Sequence, residues 1–537
     1  MKKYKKSLSF LLGLVIIIGL LAGCSTVNKS KESDKSTGST TSDIKEPVVN
    51  QKISPEKITV SFFTTEDAVP MNENWLVFKA IEEKTNINMK LMTVSYANYE
   101  EKMNSLIASG DLPDLMTLRG NGEAAKKYGP DGAFVNLSAN MDKMPNFKKY
   151  MDKFDSSANS YKLSKASDGN IYSAPRINDF VWITETYSVR ADILKKHSLK
   201  TPDTFDEIYN MLVELKKLYP DSTPVVNRWG TNTFLGSVAR FMHTGIGMQF
   251  DHAKNEYRYY PYDEDFKEAL LFVQKLYKNG LLDPEFASTS MDVFTEKQTT
   301  GKAFFMYLYF VENDQNTMLG KEISKNPEFS IEPILPPMYK GSRGKGNVVS
   351  SVDLGFSKAI SSKSKYVEPL IKFIDWLYSE DGIETVLFGL EGETFKRDSQ
   401  GRPVLLDTVK TTTNPTGQND IESYYGLYKQ EIYSVQSEYS VDVIFRGPLY
   451  SKAQKMMVEN GCYGKVSPVI SLTAQDKEEV GNINTQVNTL RDETIIKIIT
   501  GEYSIDKVDD FLKKAKELKI DRVIEIYNNQ YKKEYGK

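Results

Sequence analysis

Residues 57–63, "KITVSFF", followed by "NENWLVFKAIEEKTN" at 72–86 and "INMKLMTVSY" at 87–96, set the reading of the whole chain. The first and last are apolar runs of strand length. Between them Trp75, Phe78 and Ile81 recur at helical spacing, so the segment reads strand, helix, strand. "YANYEEKMNSLIASG" is a second helix, stopped by Gly110, and "DLPDLMTLRG" is a turn leading into a buried strand. Further on, "TPDTFDEIYNMLVELKKLYP" places Glu207 three residues after Thr204, the spacing of a capping box. Phe205, Ile208, Leu212, Leu215 and Tyr219 form the buried face of that helix. "YVEPLIKFIDWLYSEDG" is a similar helix, and "IDKVDDFLKKAKELK" and "IDRVIEIYNNQYKKEY" give two more at the C-terminus. Strands alternating with helices predict an α/β fold with largely parallel sheets.

The N-terminus gives an address. "MKKYKK" precedes an apolar run from Phe10 to Leu21, and "LAGC" closes it at Cys24. A charged start and a short apolar core make a secretory signal, since a spanning helix needs about 20 apolar residues. Residues 25–46 are mostly Ser, Thr, Lys, Asp and Glu, with nothing to bury, and read as a disordered tether. A tether of ~30 residues reaches roughly 30 Å.

Composition excludes several classes. The formal charge is −3, and losing residues 1–23 with their four lysines leaves −7, so no electrostatic footprint for nucleic acid remains. The chain has only two cysteines, Cys24 and Cys462. His197, His243 and His252 are scattered, and no zinc, nucleophile-elbow or phosphate-loop motif occurs. No cofactor or metal is expected, and no motif supports an enzyme, although 72 acidic residues supply carboxylate pairs by chance.

Beyond these features, "LAGC" resembles the bacterial lipobox, which implies cleavage before Cys24 and its acylation. "LIASGDLPDLM", "GNIYSAPR" with "SVRADILKKHSLKTPDTFDEIYNML", "LYKNGLLDPEF", "GKAFFMY", "KFIDWLYSEDG" and "FGLEGETFKRDSQGRP" follow in an order that resembles the large carbohydrate-binding lipoproteins of ABC importers in Gram-positive bacteria, the LplA-like solute-binding proteins (family 1). The resemblance implies a type II periplasmic-binding-protein-like clamp, each lobe a sheet flanked by helices, with several hinge crossings. It divides the chain into a signal (1–23), a tether (24–56), a first lobe (58–183 plus 350–395) and a second lobe (184–349 plus 396–537). It also implies a carbohydrate ligand, ABC permease partners, a lipid-anchored extracytoplasmic location and a monomer. Many relatives carry a calcium loop after the capped helix. Here "KKLYPDSTPVVNR" offers only Asp221, too few carboxylates for that ion.

A sugar presents apolar C–H faces and hydroxyls, so its site needs flat aromatic rings with charged or amide groups between them. Trp182, just ahead of the expected crossing, and Trp229, in the turn-rich "VVNRWGTNTF", are the ring candidates; Trp75 and Trp376 read as core. Arg176 closes "YSAPR" and Arg119 ends "DLMTLRG" at a carboxyl-terminal strand edge. Tyr307 and Tyr309 share one face of "FFMYLYF", and Glu391 lies on a glycine-flanked loop. Asp114 reads as a turn residue. Two other readings stand beside the sugar receptor: a receptor for peptides or other solutes, and a surface-anchored glycan hydrolase, which needs a carboxylate pair about 5–10 Å apart.

Overall fold

The computed structural model describes residues 52–66 and 69–536; the signal and Cys24 lie outside the described residues. The strands that position the site are, in chain order, β1 (Ile58–Glu66), β2 (Ile87–Ser95), β3 (Leu115–Leu118), β4 (Ala174–Asp179), β5 (Trp182–Ile183), β6 (Glu185–Arg190), β7 (Phe305–Tyr309), β8 (Ile331–Pro333), β9 (Val348–Val349), β10 (Val352–Ile360) and β11 (Val435–Ser437).

The opening strand–helix–strand unit forms as its pattern requires. β1 and β2 pair in parallel from Ile58 opposite Ile87. The helix between them, Leu76–Thr85, buries Val77, Phe78, Ala80 and Ile81, and Asn86 ends it in the left-handed conformation. Trp75 is buried at the helix start and donates its indole N–H to the Ser423 carbonyl at 3.1 Å. It is core, as read, and Trp376 packs partly buried against the same core.

The first sheet has the order β11-β4-β10-β3-β1-β2 and the second β8-β6-β7. The expectation of largely parallel sheets needs correction. β10 runs antiparallel to both β3 and β4, and the second sheet is antiparallel throughout. The cause is the crossing. The chain leaves the first sheet through β4 and β5 and returns through β9 and β10, and an outgoing strand beside a returning one must be antiparallel. β5 and β9 meet as a two-stranded ribbon, Trp182 opposite Val349, and this ribbon carries the chain between the sheets.

Each sheet has its own core. Around the first pack Val60, Phe62, Phe78, Ile177, Ile371 and Ile374. Around the second pack Tyr187, Phe205, Ile208, Leu212, Phe234 and Phe305. The capping box holds: the Thr204 side chain accepts from the Glu207 N–H at 3.1 Å, and Glu207 accepts from the Thr204 N–H at 3.2 Å. Residues 396–462, expected with the second lobe, place Ile421, Leu427, Tyr433, Ile444 and Met457 in the first core, and β11 hydrogen-bonds β4. The long helix Ala474–Thr500 turns back to the second core through Ile495 and Ile498. Cys462 is a free, buried thiol. No helix among the described residues is long and apolar enough to cross a membrane.

Candidate functional site

Three of the expected residues meet in one place. Trp229, Tyr307 and Tyr309 line a cavity of about 290 Å³ on the second sheet, together with Glu185, Arg228, Asn232, Arg240 and Gln249. Strand alternation brings Tyr307 and Tyr309 to this side of β7, Tyr307 buried and Tyr309 36% exposed. Trp229 is 53% exposed and has φ 54°, in the left-handed region that a bulky side chain rarely occupies. Such strain persists only where the surroundings impose it, and it concentrates at ligand sites.

The imposing element is Arg228. Its guanidinium lies under the Trp229 ring at 4.0 Å and 5.1 Å from the Tyr309 centroid, while the two rings stand 5.7 Å apart. Both Arg228 Nη atoms donate to Glu312, one at 2.7 Å. The same carboxylate accepts the Tyr309 N–H at 2.8 Å. One buried ion pair therefore fixes the loop bearing Trp229 to the end of β7 and holds two aromatic faces at the cavity rim. A planar guanidinium suits this double role of stacking and forked hydrogen bonding.

Polar groups inside the cavity are equally fixed. Tyr307 donates to Glu185 at 2.7 Å and accepts from Arg240 at 2.7 Å. Glu185 also accepts from the Asn347 amide, which precedes β9, at 3.0 Å. Burial, with Glu185 adding to it and Arg240 opposing, raises the Tyr307 hydroxyl well above the usual tyrosine range, and burial raises Tyr309 too. Both stay protonated at neutral pH and can donate. Glu185 is the only carboxylate among the residues lining the cavity, so the pair that glycoside hydrolysis needs does not meet there.

A second polar cluster lies on the first sheet, around Phe356 of β10. Arg176 is buried and donates to Asp353, to the Tyr433 hydroxyl at 3.2 Å and to Gln430 at 3.3 Å, with Phe356 4.5 Å from its guanidinium. Its fork is thus largely occupied by protein groups. Arg119 lies over the other partner positions, 4.0 Å from the Phe356 centroid and 4.5 Å from that of Tyr96. Both clusters border the crossing along the chain: Glu185 and Asn347 on one side of the β5–β9 ribbon, Arg176 and Asp353 on the other.

The remaining candidates stand apart. Trp182 is half-buried in β5, 6.0 Å from the Phe180 ring, and packs against the first core at the crossing; it does not line the cavity. Glu391 is exposed and accepts from Arg397 Nε at 3.1 Å on a hairpin. Asp114 stands at the bend before β3, but its carboxylate accepts from the Ser61 N–H and hydroxyl and from Ser364, so it ties distant segments together rather than closing a turn. Sequence reading missed Arg228, Glu185, Arg240 and Glu312. Only the adjacency of Arg228 to Trp229 hinted at any of them. A larger cavity, about 780 Å³, opens beside Lys195, Lys196 and Lys321, and its single ring, Phe329, is fully buried, so it offers no aromatic face. No group of three His, Cys, Asp or Glu side chains that could hold a metal ion occurs among the described residues.

Two sheets joined by a strand ribbon, with aromatic and polar groups flanking the ribbon, define a two-lobed solute-binding clamp of the type II periplasmic class. The chain belongs to the bacterial extracellular solute-binding protein family, which matches residues 74–384. It is 26% identical over 399 residues to the fructooligosaccharide ABC transporter substrate-binding protein FusA of Streptococcus pneumoniae serotype 4, covering 68% of each chain. It is 23% identical over 448 residues to lipoprotein LipO of Bacillus subtilis, covering 80% of this chain and 83% of that one. Among solved structures, the alginate-binding protein AlgQ2 without calcium ion superposes with a TM-score of 0.72 at 23% identity, covering 90% of this chain and 99% of the other. FusA and AlgQ2 are, by their names, binding proteins rather than enzymes.

Proposed function

We propose that the protein is a lipid-anchored receptor that captures an oligosaccharide between two lobes and delivers it to the permease of an ABC importer. The observation that carries this reading is Trp229: a half-exposed ring held in a strained backbone conformation over Arg228 and beside Tyr309, at the rim of a cavity. Such a platform is matched to the apolar face of a sugar ring, and the pre-oriented Tyr307, Arg240 and Glu185 are matched to its hydroxyls. FusA, by its name, binds fructooligosaccharides, which supports the same ligand class here. LipO, by its name a lipoprotein, supports the anchor at Cys24.

In this reading the first lobe comprises residues 58–183 and 350–462, and the second 184–349 and 463–537. The ligand bridges Trp229, Tyr307 and Tyr309 on the second lobe and Arg119 on the first, with Trp182 at the crossing. Because it contacts both lobes only when they close, it shifts the population toward the closed clamp. The test is a thermal-shift panel of neutral and acidic oligosaccharides beside oligopeptides. A ligand that binds only the folded state, at about 100 times its Kd, adds about 2.7 kcal/mol of stability. The expected result is a rise in Tm with a subset of the sugars. A rise with peptides alone, or release of shorter sugars from the mixture, overturns the proposal.

A further inference from the structure

The arginines of the two clusters differ in one respect. Arg176 is paired with Asp353, Arg228 with Glu312, and Arg240 faces Glu185 at 3.8 Å. Arg119 has no such carboxylate among the described residues. Its guanidinium lies between the rings of Tyr96 and Phe356, and one of its Nη atoms is buried without a hydrogen-bond partner. Lys358, buried nearby, donates to the Phe356 carbonyl at 2.9 Å, with the carboxylates of Asp353 and Glu431 close enough to act on it.

Partnerless hydroxyls gather at the same sheet edge. The Oγ atoms of Thr64, Thr65 and Ser357 are also buried without a hydrogen-bond partner. Phe63 pairs with Met116, which sets Thr65 level with Leu118, and Ser357 pairs with Leu118 directly. Alternation puts Thr65 and Ser357 on the Leu118 face of the sheet and Thr64, level with Thr117, on the face toward which Arg119, Phe356 and Lys358 project. An unpaired guanidinium with the unused Thr64 hydroxyl on the same face is suited to an oxyanion, and the exposed Tyr96 ring beside it offers a flat apolar wall.

We propose, on the reading above that the ligand is a carbohydrate, that Arg119 receives a carboxylate: the sugar is acidic, with a uronic-acid unit at the end that meets the first sheet. Closure of the clamp removes water from this edge and would strand an unpaired guanidinium. A ligand carboxylate compensates it with charge-assisted hydrogen bonds, whereas a neutral hydroxyl compensates it only in part.

The experiment compares each acidic oligosaccharide with its own carboxyl-reduced, neutral form by calorimetry, using short oligogalacturonates and oligomannuronates as probes. The intact protein should bind the acidic form at least ~10-fold more tightly, the loss expected for one charge-assisted hydrogen bond. Arg119→Gln should weaken binding of the acidic form far more than that of the neutral one, removing most of the difference between them. The wild-type comparison stands whether or not the variant folds. Equal affinity for the two forms, or equal weakening of both by Arg119→Gln, overturns the assignment. Binding of neutral sugars alone removes the charge inference and leaves the receptor reading intact. If no sugar of either kind binds, the carbohydrate reading itself falls.

Discussion

Trp229→Ala tests the proposed platform most directly. The ring is 53% exposed. A tryptophan presents about 150–250 Å² when buried, so roughly 80–130 Å² remains for a sugar face to cover. At roughly 25 cal/mol per Å² that contact contributes about 2–3.3 kcal/mol, and its loss weakens binding about 30- to 200-fold. Folding should respond far less. The substitution forfeits the stacking on Arg228, worth about 0.5–1 kcal/mol at an exposed site, while Arg228 keeps Glu312. Alanine inherits the same strained φ of 54°, whereas glycine adopts it without strain, so Trp229→Gly should melt no lower than Trp229→Ala. Calorimetry with a sugar that the wild type binds, and thermal unfolding of the unliganded protein, are measured on one preparation. Affinity within twofold of wild type would refute the platform. So would a fall in melting stability of about 3 kcal/mol or more, which marks a core residue.

Glu312→Ala should be more damaging than any change at the rim. It leaves the buried Arg228 charge uncompensated, a loss of about 3–5 kcal/mol in unfolding free energy, and it should weaken sugar binding as well because both rings lose their support. Lys358 is pushed down to about 7 from its ordinary 10.5, chiefly by burial and next by Arg176. The unfolded chain therefore takes up this proton first, and the wild type loses stability as pH falls from 10.5 to 7, by up to about 5 kcal/mol. Lys358→Met should gain most over wild type at or below pH 7, and the gain should vanish above pH 10.5; urea titrations across that range decide it, and a pH-independent difference refutes it. Cys24→Ala should abolish metabolic lipid labelling without altering sugar affinity of the domain starting near residue 50; labelling that persists removes the anchor.

The local code was largely legible. The opening strand–helix–strand unit, the Thr204–Glu207 box and the C-terminal helices depend on hydrophobic spacing and capping residues within a few positions of one another, which a sequence displays openly. Tyr307 and Tyr309 were legible for the same reason, since alternation along a strand fixes their common face. The tryptophans show where this stops. Trp182 and Trp229 looked alike in sequence, yet one packs half-buried at the crossing and the other stands half-exposed at the cavity. The difference lies in neighbours 80 or more residues away, such as Glu312, and no local pattern encodes them.

Sequence by itself determined the element types, the α/β class and the residue kinds able to meet a sugar, because each follows from short-range sterics, periodicity and composition. The direction of the strands, the return of residues 396–462 to the first core and the division of arginines into paired and unpaired were decided only by tertiary structure. Pairing depends on which elements the crossing brings side by side. Whether a given cation ends up satisfied or free is a property of distances between segments that are remote along the chain.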